Sequence, residues 1–171
     1  MISYYNHWCM RTREVPPKVS QESIVDAVLS ASRVLVAVAA RSLGDVAEEV
    51  TLTQYRTLVV LASRGPQSLA SLAEAIDVTP STATRMCDRL IRKGLILRRH
   101  ERGDRRLIRL SLAEKGLILV DAVTERRRAE ITNLLKAIPS DQQTALVDSL
   151  RRLSAAAGEV PEQDWSAGWD L

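Results

Sequence analysis

The chain has no phenylalanine, and its aromatic residues amount to only three tyrosines and three tryptophans. Five of these six lie near the termini, which leaves Tyr55 as the single aromatic residue of the central region. With 46% hydrophobic and 26% charged residues, the composition is that of a globular protein rather than a disordered one. A length of 171 residues fits one compact domain, or a domain with extra helices for association, and its core must be aliphatic.

Cysteine and histidine are also scarce, with two of each. Cys9 and Cys87 form neither a disulfide framework nor a metal-ligand spacing, and His7 and His100 are far apart in sequence. The sequence contains no glycine-rich phosphate loop, metal triad or Ser-His-Asp set. It therefore argues against an enzyme and predicts neither a cofactor nor a metal site.

Long apolar runs are missing as well. Residues 1–19 lack a continuous apolar segment and contain Pro16-Pro17 near their end, so they are predicted to form an irregular arm rather than a signal peptide. No apolar run reaches the ~18 residues that a membrane span needs. We expect a cytoplasmic protein with no membrane partner.

What the chain has in abundance is positive charge between Arg85 and Arg109. This window holds ten basic and three acidic residues, a net charge of +7, while the whole chain carries +3. A solvated surface normally mixes the signs of its charges, whereas charge concentrated on one short helix and one hairpin attracts a phosphate backbone. The window therefore predicts binding to double-stranded DNA.

The pattern on either side of this window predicts helices. The segment from Ser20 to Leu43 has no helix breaker, and its apolar band is too wide for one buried stripe, so this helix is predicted to pack on its own domain and on a partner. Capping residues predict three shorter helices, Gln54 to Ser63 after Thr53, Leu69 to Ala75 after Ser68, and Pro80 to Lys93 after Thr79. Capping-box spacings predict two more helices. Ser111 and Glu114 precede a long helix from Leu112 to Ile138, and Ser140 and Gln143 precede a last helix.

Between these helices, Leu95–Arg99 and Arg106–Leu110 alternate apolar and basic residues around a turn, which predicts a β-hairpin. Three short helices followed by a hairpin make a winged helix-turn-helix. The predicted fold is mainly α with a small β-hairpin wing, a winged helix-turn-helix plus a helical dimerisation layer. Its predicted regions are an arm over 1–19, dimerisation helices over 20–50 and 112–158, a DNA-binding domain over 51–111, and an irregular or loosely docked tail over 159–171.

Several motifs resemble the MarR family of bacterial transcription regulators. They are Leu52-Thr53-Gln54, Leu69–Ala75, Thr79–Leu90, Lys93-Gly94-Leu95-Ile96, Arg98, Asp104-Arg105-Arg106 and Leu112–Gly116. The resemblance implies a homodimer that binds a palindromic operator, most simply as a ligand-responsive repressor. It also implies a small-molecule effector, expected to be aromatic or phenolic, in a crevice for which Leu35, Val38, Leu58 and Leu61 are candidate lining. Ala113 departs from the family, which usually has a capping Thr there, and Ser111 is expected to take over that role.

The predicted recognition helix carries the first candidate DNA contacts, Ser81, Thr82, Thr84, Arg85 and Arg89. Side chains in its first two turns reach base edges, where Arg bonds bidentately to guanine and hydroxyls touch bases or phosphates. Arg89 lies further along and is expected to bind a phosphate or an intramolecular partner. The alternative for the hydroxyls is that they only help to cap the helix.

The wing carries the second set, Arg102, Asp104, Arg105 and Arg106. By resemblance, Arg106 is the arginine that enters the minor groove, where a narrow A·T-rich groove has the most negative potential. Asp104 would orient it through a charge-assisted bond, and Arg102 and Arg105 are predicted to contact the DNA backbone. The alternative is an ion pair that only rigidifies the wing.

Two other functions stay open. A winged-helix protein-interaction module would use the arginine wing to dock an acidic partner. A thiol-based redox sensor of the same fold would use Cys9, which lies near Tyr4 and Tyr5 but in the arm rather than in the first helix. Cys87 falls on the apolar face of the recognition helix and is predicted to be a core residue.

Overall fold

The computed structural model describes residues 19–44, 50–101 and 104–168, with residues 100, 101, 104–107 and 166–168 described by their backbone alone. The chain divides into two compact units, residues 1–35 and residues 36–171. Its helices are α1 (Gln21–Leu43), α2 (Leu52–Arg64), α3 (Leu69–Ala75), α4 (Pro80–Arg92), α5 (Glu114–Leu135) and α6 (Ser140–Ala156), and its strands are β1 (Ile96–Glu101) and β2 (Asp104–Leu112). A short 3-10 helix covers Glu162–Gly168. The predicted fold class, mainly α with a small hairpin, is confirmed.

The starts of α2, α3 and α4 follow from side-chain caps. Ser68 and Thr79 cap α3 and α4 as predicted. The cap of α2 is Thr51 and not Thr53, so that prediction is wrong by two residues. Thr51 and Gln54 form a reciprocal capping box, in which each side chain accepts a hydrogen bond from the other residue's backbone N–H, at 3.1 and 3.3 Å. Thr53 lies inside the first turn.

The two predicted capping boxes of the C-terminal helices are not formed. Ser111 lies in β2, which extends to Leu112 because Leu112 pairs with Ile96, and α5 begins only after Ala113 with no side-chain cap. Ser140 is the first residue of α6 rather than its cap, since Pro139 occupies the capping position. Gln143 instead donates a hydrogen bond from Nε2 to the carbonyl of Ile138, at 3.1 Å.

The hairpin pairs β1 with β2 in antiparallel register and is longer than predicted. Ile96 lies opposite Leu112 and Arg98 opposite Leu110, with an irregularity between His100 and Glu101. Leu110 also exchanges two backbone hydrogen bonds with Gln67, at 2.8 and 2.9 Å. This bridge attaches the hairpin to the segment that precedes α3.

The winged lobe, which we define as residues 50–112, contains an aliphatic core as the composition predicts. Its largest fully buried side chains include Leu58, Leu72, Leu90, Leu95 and Ile96, and Val120 and Val123 of α5 complete the cluster. The prediction that Cys87 is a core residue is confirmed, since it is 0% exposed.

Gly116 allows α5 to approach the hairpin closely. A Cβ at Gly116 would lie 2.1 Å from the carbonyl oxygen of Leu95, so only glycine fits at this point without movement of the backbone. The same carbonyl accepts the N–H of Ala113 at 3.0 Å. The start of α5 is therefore packed directly against the turn between α4 and β1.

The helices outside the winged lobe leave apolar side chains exposed. No residue of α6 is buried, and Val147, Leu150 and Leu153 are all about half exposed. In the first unit, the α1 residues Ile24 and Leu29 are likewise about half exposed. By length and composition α1 is also long and apolar enough to cross a membrane, since an 18-residue window in it has a mean hydropathy of 1.8.

The tail is more ordered than predicted. Residues 159–161 lead into the 3-10 helix Glu162–Gly168, which packs against α2. Trp165 is partly buried against the core of the winged lobe, and its indole N–H donates to the carbonyl of Val160 at 3.2 Å. The expectation of an irregular or loosely docked tail is wrong for these residues.

Candidate functional site

The helix α4 separates its side chains into a buried and an exposed face. Ala83, Met86, Cys87 and Leu90 are buried in the core of the winged lobe. On the opposite side Ser81, Arg85 and Arg89 are exposed. Residues four apart lie above one another on a helix, so these three form one polar stripe along its outer surface. The structure therefore brings together three of the five residues predicted on this helix.

The hydroxyl groups at the start of α4 also bond within the helix. The Thr79 hydroxyl donates to Thr82 Oγ1 at 2.9 Å and lies 3.1 Å from Ser81 Oγ. Thr84 donates to the carbonyl of Pro80 at 2.8 Å. A hydroxyl has one proton and two lone pairs, so Thr82 keeps its own proton and Thr84 keeps its oxygen as an acceptor. The capping role is therefore present without exhausting their capacity for DNA contacts.

An ion pair connects α4 to the hairpin. Arg98 Nη2 of β1 lies 2.6 Å from Asp88 Oδ1 of α4, with both side chains about half exposed. Arg92 donates from Nε to the backbone carbonyl of the same Asp88, at 3.3 Å. Arg92 thus bonds within α4, and the Arg98–Asp88 ion pair joins β1 to α4.

The predicted wing residues are placed only in part. Arg102 lies outside the described residues, and Asp104, Arg105 and Arg106 are described by their backbone in β2. Their roles stay predictions. The register shows one feature that the sequence reasoning missed, since Arg99 lies directly opposite Arg109 across the hairpin. The alternation of apolar and basic residues in both strands was the sequence signal that could have indicated this pairing.

A second feature is a cavity in the unit formed by residues 36–171. It measures about 410 Å³ and is lined by Ala39, Leu52, Thr53, Tyr55, Arg56, Val59, Ile76 and Arg127. The candidate lining residues Val38, Leu58 and Leu61 are instead buried in the protein core. The sequence reasoning missed both arginines of this cavity, because their proximity depends on how α2 packs on α5.

Arg127 and Tyr55 give the cavity its polar character. The guanidinium carbon of Arg127 lies 5.5 Å from the centre of the Tyr55 ring, a cation–π distance. Arg127 Nε is buried and has no hydrogen-bond partner among the described residues. Burial raises the pKa of Tyr55, with the Thr124 hydrogen bond and Arg127 opposing, so the phenol is neutral at physiological pH. A partly buried cation suits an anionic ligand that has an apolar body.

The chain is similar to known proteins in sequence and in fold. The sequence pattern of the MarR family matches residues 50–108. The HTH-type transcriptional repressor MdtR of Bacillus subtilis is 33% identical over 119 residues, which cover 70% of this chain and 77% of that protein. The crystal structure of RV1404 from Mycobacterium tuberculosis is 39% identical with a TM-score of 0.76, and the match covers 85% of this chain and 99% of that one.

A more distant structure shares the fold. It is that of Bordetella bronchiseptica BpsR, reported with the mechanism by which 6-hydroxynicotinic acid regulates its DNA binding. It is 22% identical with a TM-score of 0.59, and the match covers 81% of this chain and 97% of BpsR. The winged helix-turn-helix architecture is thereby confirmed for the described residues.

Proposed function

Since the chain belongs to the MarR family of transcription regulators, we propose that it acts in the cytoplasm as a homodimeric repressor of a palindromic operator. The observation that carries the proposal is the exposed stripe Ser81, Arg85 and Arg89 on a helix whose opposite face is buried. Such a helix fits a major groove, with the hairpin beside it over the adjacent backbone or minor groove. The predicted contacts of Thr82, Thr84, Arg102, Asp104, Arg105 and Arg106 form part of this proposal.

The homodimer is proposed because several helices leave their apolar side chains without cover. The half-exposed leucines of α6 and the apolar residues of α1 are typical of a surface that a second subunit buries. Stable interfaces of this kind usually bury more than about 2,000 Å². Two-fold symmetry would then place two recognition helices about 34 Å apart, one turn of DNA, on a palindromic site.

The test of DNA binding is its dependence on salt. If each dimer contacts on the order of 6–10 phosphates, affinity for DNA upstream of its own gene should fall about 10³- to 10⁵-fold between 50 and 200 mM salt. Fluorescence anisotropy with a labelled duplex measures this slope. A salt-independent affinity would contradict the proposal and favour the alternative in which the arginine wing docks an acidic protein.

We also propose that the cavity with Arg127 takes an aromatic carboxylic acid as effector. Its aliphatic residues accommodate a ring, and the Arg127 guanidinium supplies a positive charge for a carboxylate. BpsR, whose DNA binding 6-hydroxynicotinic acid regulates, provides a precedent for this ligand class. Calorimetry with sodium benzoate tests the idea, with Arg127→Met expected to weaken binding by roughly tenfold or more, as loss of a charged hydrogen bond implies. Equal affinity of both proteins would contradict it.

A further inference from the structure

The C-terminal strap, which we define as Glu159–Trp165, is a second place where acidic side chains meet arginines. From Glu159 to the last residue the sequence has four acidic residues and no basic one. The strap follows Gly158, whose φ of +69° ends α6 in the left-handed region that favours glycine. It therefore brings negative charge back onto the unit that holds the cavity.

Polar contacts to three arginines hold this segment. Arg56 of α2 binds Glu159 with both terminal nitrogens, each to one carboxylate oxygen. Arg64 Nη2 donates to the carbonyl of Gly158 at 3.0 Å. Arg128 Nη2 of α5 lies 3.5 Å from Glu162 Oε1. These side chains are all partly exposed, and exposed ion pairs contribute little to stability, so the ion pairs add only weakly to the packing of Trp165 that holds the strap.

Arg56 has two roles, because it lines the effector cavity and also binds Glu159. The second arginine of the cavity, Arg127, has a buried Nε without a partner among the described residues. One guanidinium of the cavity is thus paired with a carboxylate of the chain itself, and the other has no carboxylate partner among the described residues. A ligand carboxylate that contacts Arg56 in the cavity is the same chemical group that Glu159 already presents to it.

We propose that Glu159 is a built-in competitor of the effector, and that an anionic effector displaces it from Arg56 and releases the strap from α2. The inference rests on the proposed effector site and adds how that site is regulated. In this proposal Glu159 lowers the affinity of the cavity for the effector. The strap changes position when the cavity is occupied. Trp165 moves with the strap, since its indole N–H is bonded to Val160 within the same segment.

The first test compares Glu159→Gln with Glu130→Gln by calorimetry with sodium benzoate, and with benzamide as a neutral analogue. Glu130 pairs with Arg41 and does not line the cavity, so its replacement changes the net charge equally without freeing Arg56. Glu159→Gln should bind benzoate roughly twofold to fivefold more tightly than the unaltered chain, the range that loss of a partly exposed ion pair implies. Glu130→Gln should match the unaltered chain, and benzamide should not distinguish the three proteins.

The second test follows Trp165 in a chain with Trp8 and Trp169 replaced by phenylalanine. Saturating benzoate should shift the emission of Trp165 to longer wavelength, as expected for an indole that moves from a partly buried position into water. Benzoate binding with equal affinity for Glu159→Gln, or with unchanged Trp165 emission, would overturn the inference and leave the effector site standing. Absence of benzoate binding to every variant would overturn the proposed effector class and the inference with it.

Discussion

The winged lobe and helix α6 contain similar apolar side chains but bury them to different extents. Leu72 and Leu90 of the winged lobe are fully buried, whereas Leu150 and Leu153 of α6 are 47% and 53% exposed. The winged lobe completes its core with its own helices, its hairpin and the start of α5. The difference indicates that the recognition surface rests on a packed scaffold that includes the start of α5, while α6 has an exposed apolar side that the proposed second subunit would cover.

The largest effect should come from a charge placed on the exposed apolar side of α6. Leu150→Asp removes a leucine from the proposed interface and introduces an unpaired carboxylate there. A symmetric dimer contains the change twice, and burial of the exposed half of one leucine contributes about 0.7–1.5 kcal/mol. Because the unpaired carboxylate adds its own desolvation cost, the dimer should weaken by about 3 kcal/mol or more. Sedimentation equilibrium should show a dissociation constant raised by more than roughly 100-fold.

The matched control is Leu97→Asp in β1. Leu97 is 39% exposed, close to the value for Leu150, but it belongs to the winged lobe. This variant should remain a dimer at the concentrations where Leu150→Asp is a monomer. If both variants dissociate, or if neither does, the exposed leucines of α6 do not mark a dimer interface.

The sequence predicted the scaffold well but misplaced several helix starts. Ser68 and Thr79 cap their helices as expected, because each hydroxyl precedes a helix and lies outside any strand. Ser111 has the same local spacing and does not cap, because β2 continues through it to pair with β1. Strand pairing is a tertiary feature. The spacing of hydroxyl and acidic residues alone therefore does not reveal whether a residue caps a helix or extends a strand.

The next effect concerns the contact between α5 and the winged lobe. Replacing a helical glycine with alanine normally stabilises a protein by about 0.4–1 kcal/mol. Gly116→Ala should do the opposite, because the new Cβ would lie 2.1 Å from the Leu95 carbonyl and force the backbone apart. We expect a loss of about 1–3 kcal/mol or more, measured as a lower midpoint in urea unfolding. A higher midpoint would show that the close approach is not rigid.

The candidate site was predictable where it depends on one helix. The periodicity of α4 alone separates Arg85 and Arg89 from the buried Cys87. The cavity and the strap were not predictable in this way, since Arg56 and Glu159 are 103 residues apart in sequence. Their contact depends on the direction in which the chain leaves α6. Local sequence patterns do not predict that direction.

A smaller effect should separate the helix from the wing within the winged lobe. Arg85→Ala should cost roughly 1–3 kcal/mol on the preferred operator and relax the preference at one base pair per half-site. Arg106→Ala should weaken binding most where the flanking minor groove is A·T-rich. Titrations against duplexes that differ only in one core pair or only in the flanks measure both losses.

The control for this pair is Arg41→Ala, since Arg41 is bound to Glu130 and lies on neither α4 nor the hairpin. It should leave the affinity for DNA unchanged on every duplex. Equal losses for Arg85→Ala and Arg106→Ala on all sequences would show that both side chains are phosphate contacts and that neither reads the operator.

The smallest effect is expected at Cys87, because its burial in the core of the winged lobe keeps the thiol protonated and unreactive. Burial raises the pKa of the Cys87 thiol from 9.0 to about 11, with Arg98 opposing and Asp88 adding to the shift. A raised pKa favours the neutral thiol, so fewer than about one thiol in 10³ is ionised at pH 7.5. The thiolate is the reactive form and Cys87 is 0% exposed, so alkylation of a chain with Cys9→Ser needs both ionisation and opening of the core. It should be slow at pH 7.5 and faster at higher pH. Mass spectrometry of iodoacetamide adducts measures these rates. Fast alkylation that is independent of pH near neutrality would show that the Cys87 thiol is activated, contrary to its place in the core.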